Sequence, residues 1–267
     1  MKSNKSKKKQ IIKGIYLLPN LITTASLYCG IMSIITSIKG GDLTKAAYYI
    51  LFATIFDFLD GYVARASNTC SAFGMEYDSL SDVVSFGVAP AVLLFVGFLS
   101  DLKRLGAGAV FVFVACSALR LARFNSKIEG EEKVAFRGLP TTASAVFTAS
   151  LFLFSHKFNI SIKFFVPYLM LFISLLMVSS IRYPAISSIQ IWKKKPFVYM
   201  GMTIIIIGFI FFFKELSIFV ISSSYIYFGL HKSVKRYFEK KHYAKILGEQ
   251  KLKLIKSDKK ENIENIS

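Results

Sequence analysis

Cysteine is scarce in this 267-residue chain: Cys29, Cys70 and Cys116 stand far apart with no close C-x-x-C spacing. That excludes a zinc or redox pair and a disulfide-stapled secreted fold, and leaves three small packing residues. Acid is scarce too, with 16 Asp and Glu against 34 Lys and Arg, a formal charge of +18. Low hydrophobicity is absent: 54% of residues are hydrophobic and 15% aromatic, which excludes a disordered chain, and no collagen-like repeat is present. Also missing is a basic face interleaved with aromatics, so the charge does not mark a nucleic-acid binder.

What the sequence has instead is long apolar runs between short polar links. A bilayer core needs about 20 apolar residues of helix. Eight candidates follow: Leu17 to Ile38, Ala46 to Ala66, Val83 to Leu99, Leu105 to Phe124, Leu139 to Phe154, Phe164 to Ile181, Phe197 to Phe213 and Leu216 to Leu230. Only Lys214 and Glu215 separate the last two, which predicts a tight hairpin or one failed span. With an even number of spans both termini share a side. On that side fall 27 of the 34 Lys and Arg, leaving seven on the other, so the positive-inside bias places both termini in the cytoplasm. Anionic membrane lipids are the expected counter-charge, at about 1 kcal/mol per basic residue near the surface. The first run exceeds the apolar region of a secretory leader and further spans follow it, so a cleaved signal peptide is not expected. The chain therefore reads as an all-α, polytopic membrane helix bundle. It divides into a basic tail (1–16), a six-span core (17–181), two further spans (182–230) and a second basic tail (231–267).

Four of the few acids sit where acid is costly. Asp57 and Asp60 lie in the second run, and Asp78 and Asp82 open the third. At about 2.5 to 3.5 kcal/mol each at mid-membrane, four unpaired carboxylates would cost roughly 10 kcal/mol. Helical spacing puts Asp57, Asp60, Gly61 and Ala64 on one arc, and Gly74, Asp78, Asp82, Ser85 and Ala89 on a second stripe. Facing stripes would collect four carboxylates in one pocket floored by Gly61, Ala64 and Gly74, with Arg65 the nearby base. Like charges gathered this way are held ionised by bound cations. Oxygen-only donors favour Mg²⁺, Mn²⁺ or Ca²⁺, four carboxylates suffice for two ions, and a two-metal site suits phosphoryl displacement. Spacing by helical turns excludes an EF-hand loop. Helix caps and an Asp60–Arg65 pair would explain one or two of these residues but not all four.

The string Asp57-x2-Asp60-Gly61-x2-Ala64-Arg65-x8-Gly74-x3-Asp78-x3-Asp82 resembles the signature of the CDP-alcohol phosphatidyltransferases at every fixed position. The resemblance implies a six-span catalytic core, two divalent metals between the second and third spans, and release of CMP from a CDP-activated lipid. It implies Asp57, Asp60, Asp78 and Asp82 as metal ligands, Asp82 also as the general base, and Gly61, Arg65 and Ser71 as nucleotide and diphosphate contacts, with Gly74 beside them. Three stretches are similar to the phosphatidylserine synthase branch: Pro19 to Thr23, Ser81 to Ala91, and Arg120 to Asn125 followed by Phe136 to Pro140. By that likeness Asn20 and Thr23 approach the CDP-lipid. The branch often continues with Pro-Ala after the last stretch, whereas Thr141, Thr142 and Ala143 follow here.

The expected substrates are then CDP-diacylglycerol and L-serine, and the expected assembly is a homodimer in the inner membrane with its active site facing the cytoplasm. Serine brings a carboxylate that suits a guanidinium fork, which nominates Arg120, Arg123 and Arg137 for the acceptor pocket, although basic residues at a span end also serve as orientation signals. Asn125 caps a helix end or joins that pocket. Alternatives are the same chemistry with glycerol phosphate, inositol phosphate or choline, or a cation transporter whose carboxylates bind ions in transit.

Overall fold

The computed structural model describes residues 2–67, 69, 71–126, 135–184 and 213–236, with side chains described from Leu18 onward except at 135–137, 182 and 184. It divides into two compact units, Met1–Ser224 and Tyr225–Ser267. In the first unit, α1 (Lys2–Ile38) and α2 (Leu43–Ala66) form an antiparallel pair. Gly40, at φ +67°, turns the chain between them, and the Asp42 carboxylate caps α2 by accepting from the Thr44 amide at 2.9 Å. Ser71 likewise caps α3 (Ala72–Asp82) by accepting from the Gly74 amide at 3.0 Å.

The helix then changes pitch. Residues Val83–Val88 form a π turn, closed by the Ala89 amide donating to the Val84 carbonyl, before α4 (Ala89–Leu94) resumes with Pro90 in its first turn. A second π turn (Phe95–Leu99) and a short 3₁₀ turn (Ser100–Leu102) lead to Lys103, whose φ of +43° reverses the chain into α5 (Lys103–Asn125). The apolar stretch Ala72–Asn125 is thus two antiparallel passes, with α5 packed back on α4 and both π turns, as the third and fourth sequence spans require. After it come β1 (Ala135–Arg137), α6 (Thr141–Lys157), α7 (Val166–Val178) and β2 (Arg182–Pro184). Residues 215–224 are helical at the close of this unit, and 225–236 are helical in the second. The sequence span Leu216 to Leu230 is therefore helical throughout. The seventh span lies outside the described residues save for Phe213, as do residues 237–267 of the basic tail.

One feature departs from an all-helical reading. β1 and β2 pair antiparallel, with Phe136 opposite Tyr183 and Arg137 opposite Arg182. The ribbon continues through the Gly138 amide, which donates to the Ile181 carbonyl at 2.8 Å. Gly138 has φ +87°, and a Cβ there would stand 2.1 Å from the Met177 carbonyl oxygen, so only glycine fits.

Apolar residues cover the outside as well as filling the core. Phe111, on α5, is 72% exposed while Ser117, on the same helix, is fully buried. Large apolar side chains such as Phe52 and Leu175 face outward, and the interior holds small and hydroxylated residues such as Ser26, Ser33, Ser144 and Thr148. This is the distribution that lipid requires of a helical bundle, where small residues allow close helix approach. Some hydroxyls bond back to their own helix, as Thr148 does to Ser144 at 3.0 Å and Ser174 to Met170 at 2.7 Å. Others stitch helices together: Ser26 and Ser33 of α1 donate to the Ala53 and Ala46 carbonyls of α2 at 3.0 and 2.8 Å. At 17 residues α6 is only about 25 Å long. It is buried over much of its surface, so it lies within the bundle rather than against lipid. The structure is a helical membrane bundle.

Candidate active site

α2 and α3 each pack against α1. From them Asp57, Asp60 and Asp78 each offer a carboxylate oxygen, and these oxygens lie within 4.8 Å of one another. Helical spacing alone aims them: Asp57 and Asp60 are three residues apart on α2, and Asp78 faces them from α3. Asp82, one turn beyond Asp78, lies within hydrogen-bond reach of Asp57. It is not one of the three whose oxygens converge within 4.8 Å, but the charges of Asp57, Asp78 and Asp60 all act on it.

Asp60 is the most enclosed of the three clustered acids, at 5% exposure. Its carboxylate faces the Gly61 amide and the Thr23 hydroxyl, which itself donates to the Pro19 carbonyl at 3.1 Å, and Arg65 supplies a nearby positive charge. Even so, Asp60 Oδ2 and Asp78 Oδ1 are buried and have no hydrogen-bond partner among the described residues. Buried carboxylate oxygens without donors are expensive. Three converging carboxylates with two orphaned oxygens and no sulfur or nitrogen donor fit a hard divalent cation.

The small residues make room as the spacing implies. A Cβ on Gly61 would stand 3.2 Å from Arg65 Nη1, so the guanidinium lies over the glycine. Gly74 sits between Ser71 Oγ, 3.1 Å from its ideal Cβ position, and Asn20 Oδ1, at 3.3 Å. Asn20, Ser71 and Gly74 therefore form one corner where α1 meets the start of α3, and Thr23 leads from it toward Asp60. Ser85 turns its hydroxyl to α1. Its hydroxyl donates to the Ser26 carbonyl of α1 at 3.2 Å, as that of Ser81 does to the Thr23 carbonyl at 3.4 Å. The π turn that begins at Val83 offsets everything beyond it from Asp78 and Asp82.

The three nominated arginines separate. Arg120, half-buried on α5, acts electrostatically on Asp57, and its Nη1 donates to Thr141 Oγ1 at 3.0 Å. Arg123 instead donates to the Val178 carbonyl at 3.2 Å, at the C-terminal end of α7 where an unsatisfied carbonyl attracts a cation. Arg137 belongs to β1 by its backbone, and its side chain lies outside the described residues. Asn125 bonds across to α3, donating to Glu76 Oε2 at 3.1 Å and Ser79 Oγ at 3.0 Å. Thr141 was not singled out from the sequence. No local signal marks it, since its partner Arg120 lies 21 residues away.

A family model described as CDP-alcohol phosphatidyltransferase matches residues 16–179. The chain is 34% identical over 225 residues to a CDP-diacylglycerol–serine O-phosphatidyltransferase of Helicobacter pylori, covering 82% of this chain and 92% of the relative. It is 38% identical over 177 residues to an archaetidylserine synthase of Methanothermobacter thermautotrophicus, covering 66% and 72%. Over 164 residues it is 42% identical to a CDP-diacylglycerol–serine O-phosphatidyltransferase of Methanocaldococcus jannaschii, covering 61% and 75%. The matched region runs from within α1 to the end of α7 and holds every aspartate, glycine and arginine of the cluster, and the chain belongs to the CDP-alcohol phosphatidyltransferase family.

Proposed function

We propose that this protein is an enzyme that transfers the phosphatidyl group of CDP-diacylglycerol to the hydroxyl of L-serine, giving phosphatidylserine and CMP. The observation that carries the chemistry is the convergence of Asp57, Asp60 and Asp78 beside an arginine laid over Gly61. Support for serine comes from the relatives: two are named for transfer to serine and a third as an archaetidylserine synthase.

In this reading Asp57, Asp60 and Asp78 hold divalent metal, with Asp82 completing the set for a second ion. Mg²⁺ or Mn²⁺ is the expected occupant, with Ca²⁺ able to fill the same oxygens. The bound metal supplies positive charge to the pyrophosphate oxygens of the lipid nucleotide. Arg65 meets the same diphosphate with its planar fork, and Gly61 leaves space for it. Asn20, Thr23, Ser71 and Gly74 line the approach of the nucleotide. Asp82 takes the proton of the serine hydroxyl as its oxygen bonds the β-phosphorus, the phosphoanhydride bond to CMP breaks, and CMP leaves with the electron pair. Residues 17–181 do this work. Residues 1–16 and 231–267 are basic tails at the cytoplasmic face of the inner membrane, 182–230 add two spans, and the assembly is a homodimer.

The test is purified protein in detergent micelles with CDP-diacylglycerol and a panel of radiolabelled acceptors: serine, glycerol phosphate, inositol phosphate and choline. Serine should be converted and CMP released in equal amount, with excess EDTA abolishing both and Mg²⁺ or Mn²⁺ restoring them. Asp82→Asn should lower turnover by about 10² to 10⁴-fold with the protein still extracted intact. Labelled product from another acceptor but none from serine would overturn the acceptor, and full turnover in EDTA would overturn the metal role. Ion flux without CMP release would favour a transporter.

A further inference from the structure

Resting on the serine-transfer reading above, we propose that Thr141 is a positioning residue that determines acceptor specificity: its hydroxyl holds the Arg120 guanidinium beside the aspartate cluster, where the guanidinium meets the carboxylate of the incoming amino acid. Three observations converge on it. Arg120 reaches from α5 to the first residue of α6, where Thr141 Oγ1 accepts from Nη1 at 3.0 Å. Thr141 is a stiff anchor, since it is β-branched, 1% exposed and preceded by Pro140 at the entrance to a largely buried helix. Of the two arginines whose side chains are described, Arg120 is the one whose charge acts on Asp57, while Arg123 is committed to the α7 terminus.

A planar guanidinium recognises a carboxylate only when its plane is correctly set, so one bond to a rigid hydroxyl does more for recognition than for affinity in general. The carboxylate is what separates serine from choline, which has no anionic group for the guanidinium to meet.

The experiment compares Thr141→Val, which keeps the shape and removes the acceptor oxygen, with Thr141→Ser, which keeps the oxygen. The full-length protein in detergent is assayed for KM with serine and, separately, with CDP-diacylglycerol. Thr141→Val should raise the serine KM about tenfold while the CDP-diacylglycerol KM and the melting temperature stay near wild type, and Thr141→Ser should bring the serine KM back to within about twofold. In a double-mutant cycle with Arg120→Lys the two effects should be strongly non-additive. An unchanged serine KM in Thr141→Val overturns the proposal, as does a parallel rise in both KM values with a lowered melting temperature. Should Thr141→Val not survive extraction, Thr141→Ala is read by the same split. Wild-type turnover with serine is measured first: its absence overturns the functional reading, whereas its presence with an unmoved KM in the variants overturns only the role of Thr141.

Discussion

The two ends of the bundle treat acid in opposite ways. Where α2 begins and α6 finishes, each described acid has a protein partner: Asp42 caps α2 through the Thr44 amide, Asp101 pairs with Lys163, and Glu215 takes Lys157 at 2.6 Å and the Tyr48 hydroxyl at 3.0 Å. Where α2 finishes, three carboxylates crowd within 4.8 Å, the charges of all three act on a fourth, and two buried oxygens have no donor among the described residues. Burial alone would push Glu215 up, yet the Lys157 ammonium and the Tyr48 hydroxyl outweigh it and hold the carboxyl below its usual range. The aspartate end has Arg65 and Arg120 near four acids. Acid matched by protein bases reads as architecture, and acid left over reads as a place for something the chain itself does not supply.

That contrast can be broken most decisively by supplying the missing charge. Protein stripped with EDTA should gain stability on addition of Mn²⁺ or Mg²⁺, by about 2.7 kcal/mol at a hundredfold excess over Kd, read as a rise of several degrees in melting temperature. Asp60→Asn combined with Asp78→Asn should abolish the gain. A cation response that survives this pair of changes would mean that the cluster is not the binding site. At the other end the same treatment should do little. Glu215→Gln should leave serine turnover unchanged and cost about 1 kcal/mol, because a partly exposed ion pair is worth little and one hydrogen bond to Tyr48 remains. A turnover loss beyond about threefold would show the two ends to be coupled.

The smallest effect belongs to Asp42. Hydrogen bonds from Thr44 hold its carboxyl below the ordinary value, so its contribution to stability is present above the usual aspartate range and disappears as pH falls through the lowered folded value. Asp42→Asn keeps a cap that does not titrate. The variant should therefore show a shallower acid-side slope of melting temperature against pH than wild type, and identical slopes would remove Asp42 from the account.

The carboxylate centre was legible in the sequence because it depends on short-range helical spacing: Asp57 to Asp60 and Asp78 to Asp82 share a face in any regular helix. Gly61 and Gly74 were legible for the same reason, since their neighbours Arg65 and Ser71 are four and three residues away. What was not legible depends on residues far apart. The Phe136–Tyr183 pairing joins positions almost fifty residues apart and has no local periodicity to announce it. Arg120, Arg123 and Arg137 looked equivalent because a count of basic residues at a span end carries no direction; Thr141 and the Val178 carbonyl give two of them different tasks. Nor does a constant 100° per residue announce the wider turn at Val83–Val88.

That wider turn has one more consequence. The segment from Ala72 to Leu94 is two α-helical stretches joined by a wider turn at Val83–Val88, the first carrying Asp78 and Asp82, the joint holding Phe86 and the second Ala89 and Leu93, all three of these fully buried. The angle at which the acids meet α2 is therefore governed by how many residues the joint contains rather than by the strength of any contact near them.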